Sequence, residues 1–325
     1  MENQEFENRV DLSKLKESIE KIRQEVGKVI VGQHKMVDLM MTALLSDGHI
    51  LLEGVPGVAK TLSARVLSKV IKTDFSRIQF TPDLMPSDVL GTSVYNMKTS
   101  DFEFNKGPIF SNIVLIDEIN RAPAKTQAAL FEVMEEHQVT IDGTTYTMEE
   151  PFMVMATQNP IEHEGTYRLP EAQLDRFLFK INVDYPTESQ ELEVLKIHHG
   201  KKAGDRLPDI NPVITPAEIK QYRETIQNIF LEEHLFNYIV QIVRATREDP
   251  SLYLGGSPRA TVAILNGSKA FAALQGRDFV TPEDIQFMAV PVLRHRVILS
   301  PEREMEGLTS DEIIDQLLKR IEVPR

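Results

Sequence analysis

Apolar residues recur at helical spacing from the start of the chain. Leu12, Leu15, Ile19, Ile22 and Val26 fall on one stripe, with lysines and glutamates outside it. A second helix is predicted from near Gln33, with Met36, Met40 and Leu44 as core filling. The period then changes. Residues 49–53 read as a short apolar strand, 60–72 as a helix and 77–81 as a second strand. Ile113-Val114-Leu115-Ile116 has no polar alternation, as expected of a strand buried on both faces of a parallel sheet. A helix over 123–136, with Ala129, Leu130, Val133 and Met134 inward, leads to further strands at 152–156 and 177–183. This alternation predicts a three-layer αβα domain with a mostly parallel sheet.

Two hairpins interrupt the alternation. Residues 93–96 and 102–105 flank a polar turn, and 139–148 fold around Asp142-Gly143. Beyond Pro186 the pattern is helical only. Thr215-Pro216-Ala217-Glu218 joins a cap, a proline at the first helical position and a glutamate at the third, and Ser257-Pro258 and Thr281-Pro282 repeat the cap with proline. The expected organisation is an α/β domain over 1–186, a hinge at 186–188, and a smaller all-α domain over 187–325 with four to six helices.

Bulk properties narrow the chemistry. The 325 residues suffice for two cores, and 42% hydrophobic with 26% charged residues is ordinary for a globular protein. There is no cysteine, so neither disulfides nor thiolate metal sites are available. No apolar run nears the roughly 20 residues that span a bilayer, so no membrane insertion is expected. The acidic start, Met1-Glu2-Asn3-Gln4-Glu5, does not resemble a secretory signal, and the expected compartment is the cytoplasm. A net charge of −13, no tryptophan and few aromatics weigh against a general grip on nucleic acid.

The strand at 49–53 runs into Gly54-Val55-Pro56-Gly57-Val58-Ala59-Lys60-Thr61 and then into a helix. Strand, glycine-bearing loop, Lys-Thr and helix is an order that cradles nucleotide phosphates on inward N–H groups and a helix start. In that order Lys60 reaches the β- and γ-phosphates and the Thr61 hydroxyl ligates Mg²⁺, with Leu62 following in the first turn. The usual pattern has glycine where Ala59 stands, so Ala59 is expected to keep a negative φ. Asp117, at the end of the 113–116 strand, can hold Mg²⁺ opposite Thr61, and Glu118 is placed to polarise a water for attack on the γ-phosphate. Asn159, beyond the strand at 152–156, can orient that water or simply turn the chain before Pro160. Arg259 sits in a first helical turn, where the dipole disfavours a cation, which marks it as a candidate for binding an anion. Arg176 sits at the entry to an apolar strand, where its charge must reach outward. His198-His199 lacks metal partners at helical spacing, and the pairs Glu135-Glu136 and Glu149-Glu150 read as solvated faces.

The motifs GVPGVAKT at 54–61, FTPDLMPSDVLG at 80–91, KGPIF at 106–110, the block LIDEINRAPAKTQAALFEVMEEHQVTIDG at 115–143, ATQNP at 156–160, LPEAQLDRF at 169–177 and GGSPRA at 255–260 resemble the AAA+ ATPases of MoxR type. The resemblance covers nearly the whole chain beyond the first helix, and that family often carries alanine at the position of Ala59. It implies ATP and ADP with Mg²⁺ as cofactors, held by Val31 and Gly32 against adenine and by residues 54–62 on the phosphates. Asp117 becomes the metal ligand, Glu118 the catalytic base and Asn159 the first sensor. Arg176 becomes the arginine finger acting on the neighbouring subunit's ATP, with Arg168 as a competitor and Arg121 as a further inter-subunit contact. Arg259 becomes a second sensor carried by the lid, so that hydrolysis rotates the lid against the α/β domain.

The resemblance further implies a homo-oligomer, a hexameric ring, with a chaperone-like action on protein clients, often ones with a von Willebrand A-type domain, or help in metal-cofactor insertion or envelope stress. Tyr95, Phe102 and Phe104 on the first hairpin are candidates for client contact or, equally, for packing the hairpin against its own domain. A nucleic-acid motor is the alternative reading, and a nucleotide-gated binding module without turnover is a third.

Overall fold

The computed structural model describes residues 10–55, 57–159, 169–199 and 210–324. Pro56 of the phosphate loop and Arg168 lie outside them. Two helices lead, α1 (Ser13–Gly27) and α2 (His34–Leu45), followed by β1 (Ile50–Glu53), α3 (Lys60–Val70), β2 (Phe75–Gln79) and the short α4 (Pro86–Leu90). The first hairpin is β3 (Gly91–Asn96) with β4 (Asp101–Lys106). Then come β5 (Ile113–Asp117), α5 (Ala124–Glu136), the second hairpin of β6 (Gln138–Ile141) and β7 (Thr144–Thr147), β8 (Met153–Gln158), α6 (Glu171–Leu174) and β9 (Phe179–Asn182).

Five strands form one sheet in the order β2-β5-β8-β1-β9, every neighbouring pair parallel. Side chains alternate across it. Ile50, Leu52, Ile113, Leu115, Met153 and Met155 join one apolar cluster with α1, α2 and α3. Leu51, Val114, Ile116, Val154 and Ala156 face the other, with Leu130, Phe131, Val133 and Met134 of α5. Period-two alternation buried on both sides is why these strands read as continuous apolar runs.

The remainder is α7 (Glu188–His198), α8 (Pro216–Gln227), α9 (Glu233–Glu248), β10 (Leu252–Leu254), α10 (Pro258–Leu274), α11 (Pro282–Leu293), β11 (Ile298–Leu299), α12 (Pro301–Met305) and α13 (Ser310–Arg320). The described part of this region thus holds seven helices, where four to six were expected. It also holds a small antiparallel pair, β10 with β11, which the helix-only reading missed. The prolines mark helix starts as expected: Thr215 accepts from Glu218 N–H at the head of α8, and Pro258 and Pro282 open α10 and α11. The apolar cluster of α1–α3 continues without a break into Ile239, Ile242, Ile264, Ala270, Met288 and Val292 of these helices. Among the described residues no helix is long and apolar enough to cross a membrane.

Candidate active site

In the sheet, Glu53 is level with Gln158 and Ile116 with Ala156, so the loop after β1 and the ends of β5 and β8 open at the same edge. Carboxyl-terminal strand ends are where open α/β sheets bind ligands. Helix α3 begins there with no side-chain cap and no acid in its first turn, leaving its first N–H groups for an anion. Lys60 is its first residue, and its Nζ donates to Gly54 O at 2.5 Å across the loop mouth. Thr61 and Leu62 follow, half-buried.

Two loop positions are left-handed, Gly57 at φ 93° and Ala59 at φ 63°. The expected negative φ at Ala59 is therefore corrected. The chain must turn sharply to feed α3, and the loop imposes the conformation on whatever residue stands there, at about 1 kcal/mol for a residue with a Cβ. Gly54 is needed for another reason: a Cβ would lie 2.6 Å from Val183 O. Val58 is buried and Val55 packs at the core margin. Gly32, at φ 73°, has no room for a side chain, since a Cβ would lie 2.1 Å from the Gln190 side chain in the first turn of α7. Val31 beside it is half-buried.

Asp117 is buried at the end of β5. Its Oδ1 accepts from Thr157 Oγ1 at 3.1 Å and its Oδ2 from Arg77 Nε at 2.5 Å. Thr157 Oγ1 also receives the Glu118 N–H at 3.0 Å, so one hydroxyl ties both carboxylate residues to β8. Glu118 is held in a left-handed conformation (φ 58°), and its Oε2 accepts from Gln79 Nε2 at 2.7 Å and lies 3.2 Å from Arg121 Nε. Asn159 stands half-buried just past β8, the strand between β5 and β1.

This donor set suits Mg²⁺, which takes one or two carboxylates and fills its shell with phosphate oxygens and water. Asp117 and the Thr61 hydroxyl are the candidates, and the half-exposed Arg77 would have to give up Oδ2. Arg77, Gln79 and Thr157 were missed by sequence reasoning. For Arg77 and Gln79 the available signal was a pair of polar residues at i and i+2, on one face of β2 beside the end of β5.

The two candidate arginines lie elsewhere. His49, just before β1, is within 3.0 Å of Met134 O, which sets the end of α5 at the edge where strands begin. Arg176 precedes β9 at that same edge and donates to Phe131 O at 2.5 Å. Arg259, second residue of α10, places Nη2 2.8 Å from Glu135 Oε1 and Nη1 3.4 Å from Oε2, while Arg176 Nε lies 3.6 Å from Oε2. The structure thus places Arg259 beside Glu135 and Arg176. A strand's length, about 15 Å, separates both arginines from the loop of their own chain. Glu135 and Glu136 are both exposed, as expected, and Glu135 also pairs with the two arginines.

On the hairpins, the Phe104 ring lies tilted against Tyr146 (centroids 4.5 Å apart) and edge-on to Phe110 (5.8 Å), joining β4 to β7, so it serves packing. Tyr95 and Phe102 pair with each other and stay 50% and 67% exposed, beside Met97 at 88%. Among the described residues, no three His, Asp or Glu side chains gather as a metal cage.

Comparison with known proteins agrees with this architecture. The profile of the ATPase family associated with various cellular activities (AAA) matches residues 49–179, and that of the AAA lid domain matches 244–317. The uncharacterized protein YeaC of Bacillus subtilis is 48% identical over 301 residues, 93% of each chain. The protein named Chaperone MoxR1 of Mycobacterium tuberculosis is 44% identical over 310 residues, 93% of this chain and 81% of that one. The crystal structure of a candidate ATPase from Cytophaga hutchinsonii superposes with a TM-score of 0.89 at 42% identity, covering 97% of each chain.

Proposed function

The chain belongs to the MoxR-type AAA+ ATPases, and from that premise we propose that it hydrolyses ATP at the junction between two copies of itself. One copy holds the triphosphate on residues 54–62 with Lys60, and Mg²⁺ on Thr61 and Asp117. Bound Mg²⁺ supplies charge neutralisation between phosphate oxygens. Glu118 takes the proton of the attacking water, Asn159 orients that water, and Val31 and Gly32 line the adenine. The next copy supplies Arg176 and Arg259. An arginine delivered this way is worth about 10³–10⁵ in turnover.

The observation that carries this reading is the separation of the two halves. Phosphate loop and carboxylates lie at one edge of the sheet, and the two arginines at the other. A head-to-tail contact brings the second edge of one copy to the first edge of the next, and such contacts close into rings. We take the ring as a hexamer, the segment 1–186 as its nucleotide-binding domain and 187–325 as its lid. The test is Glu118→Gln: ATP should still bind while hydrolysis falls at least about 100-fold, and unchanged hydrolysis would refute the assignment.

A chaperone-like action on partner proteins is the accompanying proposal. The name of the M. tuberculosis relative supports it, as do the exposed Tyr95, Met97 and Phe102 on a hairpin braced by Phe104.

A further inference from the structure

We propose that Glu135 is a positioning residue for hydrolysis in the neighbouring copy, holding Arg176 and Arg259 together as one two-pronged cation; this rests on the split site described above. Three observations carry it. Among the described residues, Glu135 is the one carboxylate shared by both arginines, with Oε1 on Arg259 and Oε2 facing both. The backbone segments carrying the arginines are clamped to each other: Ser257 Oγ donates to Asp175 Oδ2 at 2.9 Å, and Arg296 Nε donates to Asp175 Oδ1 at 2.6 Å. Arg176 is further fixed by Phe131 O and lies over the Phe131 ring, its guanidinium carbon 6.0 Å from the centroid.

Physical chemistry requires such a residue. Two guanidinium groups side by side repel, and each long side chain has several rotamers to lose. A carboxylate between them removes most of the repulsion and fixes both forks before the phosphate arrives. The cluster of two arginines and one glutamate keeps a net charge of +1 at neutral pH, so it still attracts a triphosphate. All three side chains remain partly exposed, at 31%, 53% and 38% for Arg176, Arg259 and Glu135. An incoming phosphate can therefore reach the outward faces of both forks.

The experiment compares wild type, Glu135→Gln and Glu135→Asp in steady-state ATP hydrolysis, each with a binding titration of ADP and a melting curve. Glutamine keeps the shape and removes the charge, so kcat should fall about 10- to 100-fold. KM for ATP and ADP affinity should stay within about twofold, because Glu135 is remote from the phosphate loop of its own copy. Aspartate, which keeps the charge, should recover part of kcat. Adding Glu135→Gln to an Arg176→Ala, Arg259→Ala double variant should cost nothing further, since the carboxylate then has no cation to place. A wild-type kcat in Glu135→Gln overturns the proposal, and so does a parallel loss of kcat, ADP affinity and melting temperature. An inactive wild type overturns the ATPase reading beneath it, and a further loss in the triple variant gives Glu135 a role apart from the arginines and also refutes the proposal.

Discussion

Arg296 Nε lies 2.6 Å from Asp175 Oδ1, and its guanidinium also donates to Asp175 O, Phe177 O, Leu178 O and Val292 O. Arg296 follows α11 and is 4% exposed at its side chain; Asp175 immediately precedes Arg176. One buried ion pair therefore fastens the helical region to the segment that presents Arg176.

Removing one member of a buried pair leaves the other charged and uncompensated, at about 3–5 kcal/mol. Asp175→Ala should accordingly lower thermal stability strongly. Asp175→Leu combined with Arg296→Met, which removes both charges, should cost clearly less than the sum of the single changes. Differential scanning calorimetry checks this; additive losses would show that the two residues are not coupled.

Ala59 carries a Cβ at φ 63°, a conformation that glycine adopts without strain. Ala59→Gly should leave nucleotide affinity intact and stabilise the protein by up to about 1 kcal/mol, and Ala59→Val should destabilise it by more than that. Melting curves without nucleotide decide the sign. A destabilised Ala59→Gly would mean that the methyl's packing against the core outweighs its backbone strain.

His49 is buried, with Nδ1 accepting the Val154 N–H at 3.0 Å and Nε2 on Met134 O, the tautomer a neutral ring provides. Burial pushes its pKa down from 6.5 to about 4. The folded state then binds fewer protons than the unfolded state between those values. The stability this group contributes is complete above about pH 6.5 and is lost as pH falls toward 4. His295, also buried, is pushed down by the same desolvation and adds to the trend. Stability should fall with a slope near 1.4 kcal/mol per pH unit for each such histidine, measured by urea titration at several pH values. His49→Gln should flatten that slope by about one proton, and an unchanged slope would contradict the assignment.

The parts of the site legible in the sequence are those that local order fixes. Asp117, Glu118 and Asn159 stand at or just past a strand end, and Lys60 and Thr61 open the helix that one short loop separates from β1, so a run of apolar residues next to a short polar motif located them. Arg77, Gln79, Thr157, Glu135, Asp175 and Arg296 gain their meaning only from partners far along the chain. Arg259 and Glu135 are 124 positions apart, and Arg296 and Asp175 are 121. No periodicity records such a pairing. The left-handed Ala59 escaped for a related reason: its φ is imposed by the geometry of loop and helix rather than by its own preference. The β10–β11 pair escaped because strands of three and two residues are too short to show a period of two.

The claim on which the rest depends is that each site is completed by a second copy. Mixing an Arg176→Ala variant with a Glu118→Gln variant tests it most directly. Each alone should be nearly inactive while still binding ATP. Together they should recover a fraction of wild-type turnover, because some junctions then join an intact Glu118 to an intact Arg176 from the neighbour. Inactivity of the mixture, with mixed assemblies demonstrated by co-purification, would contradict the shared site.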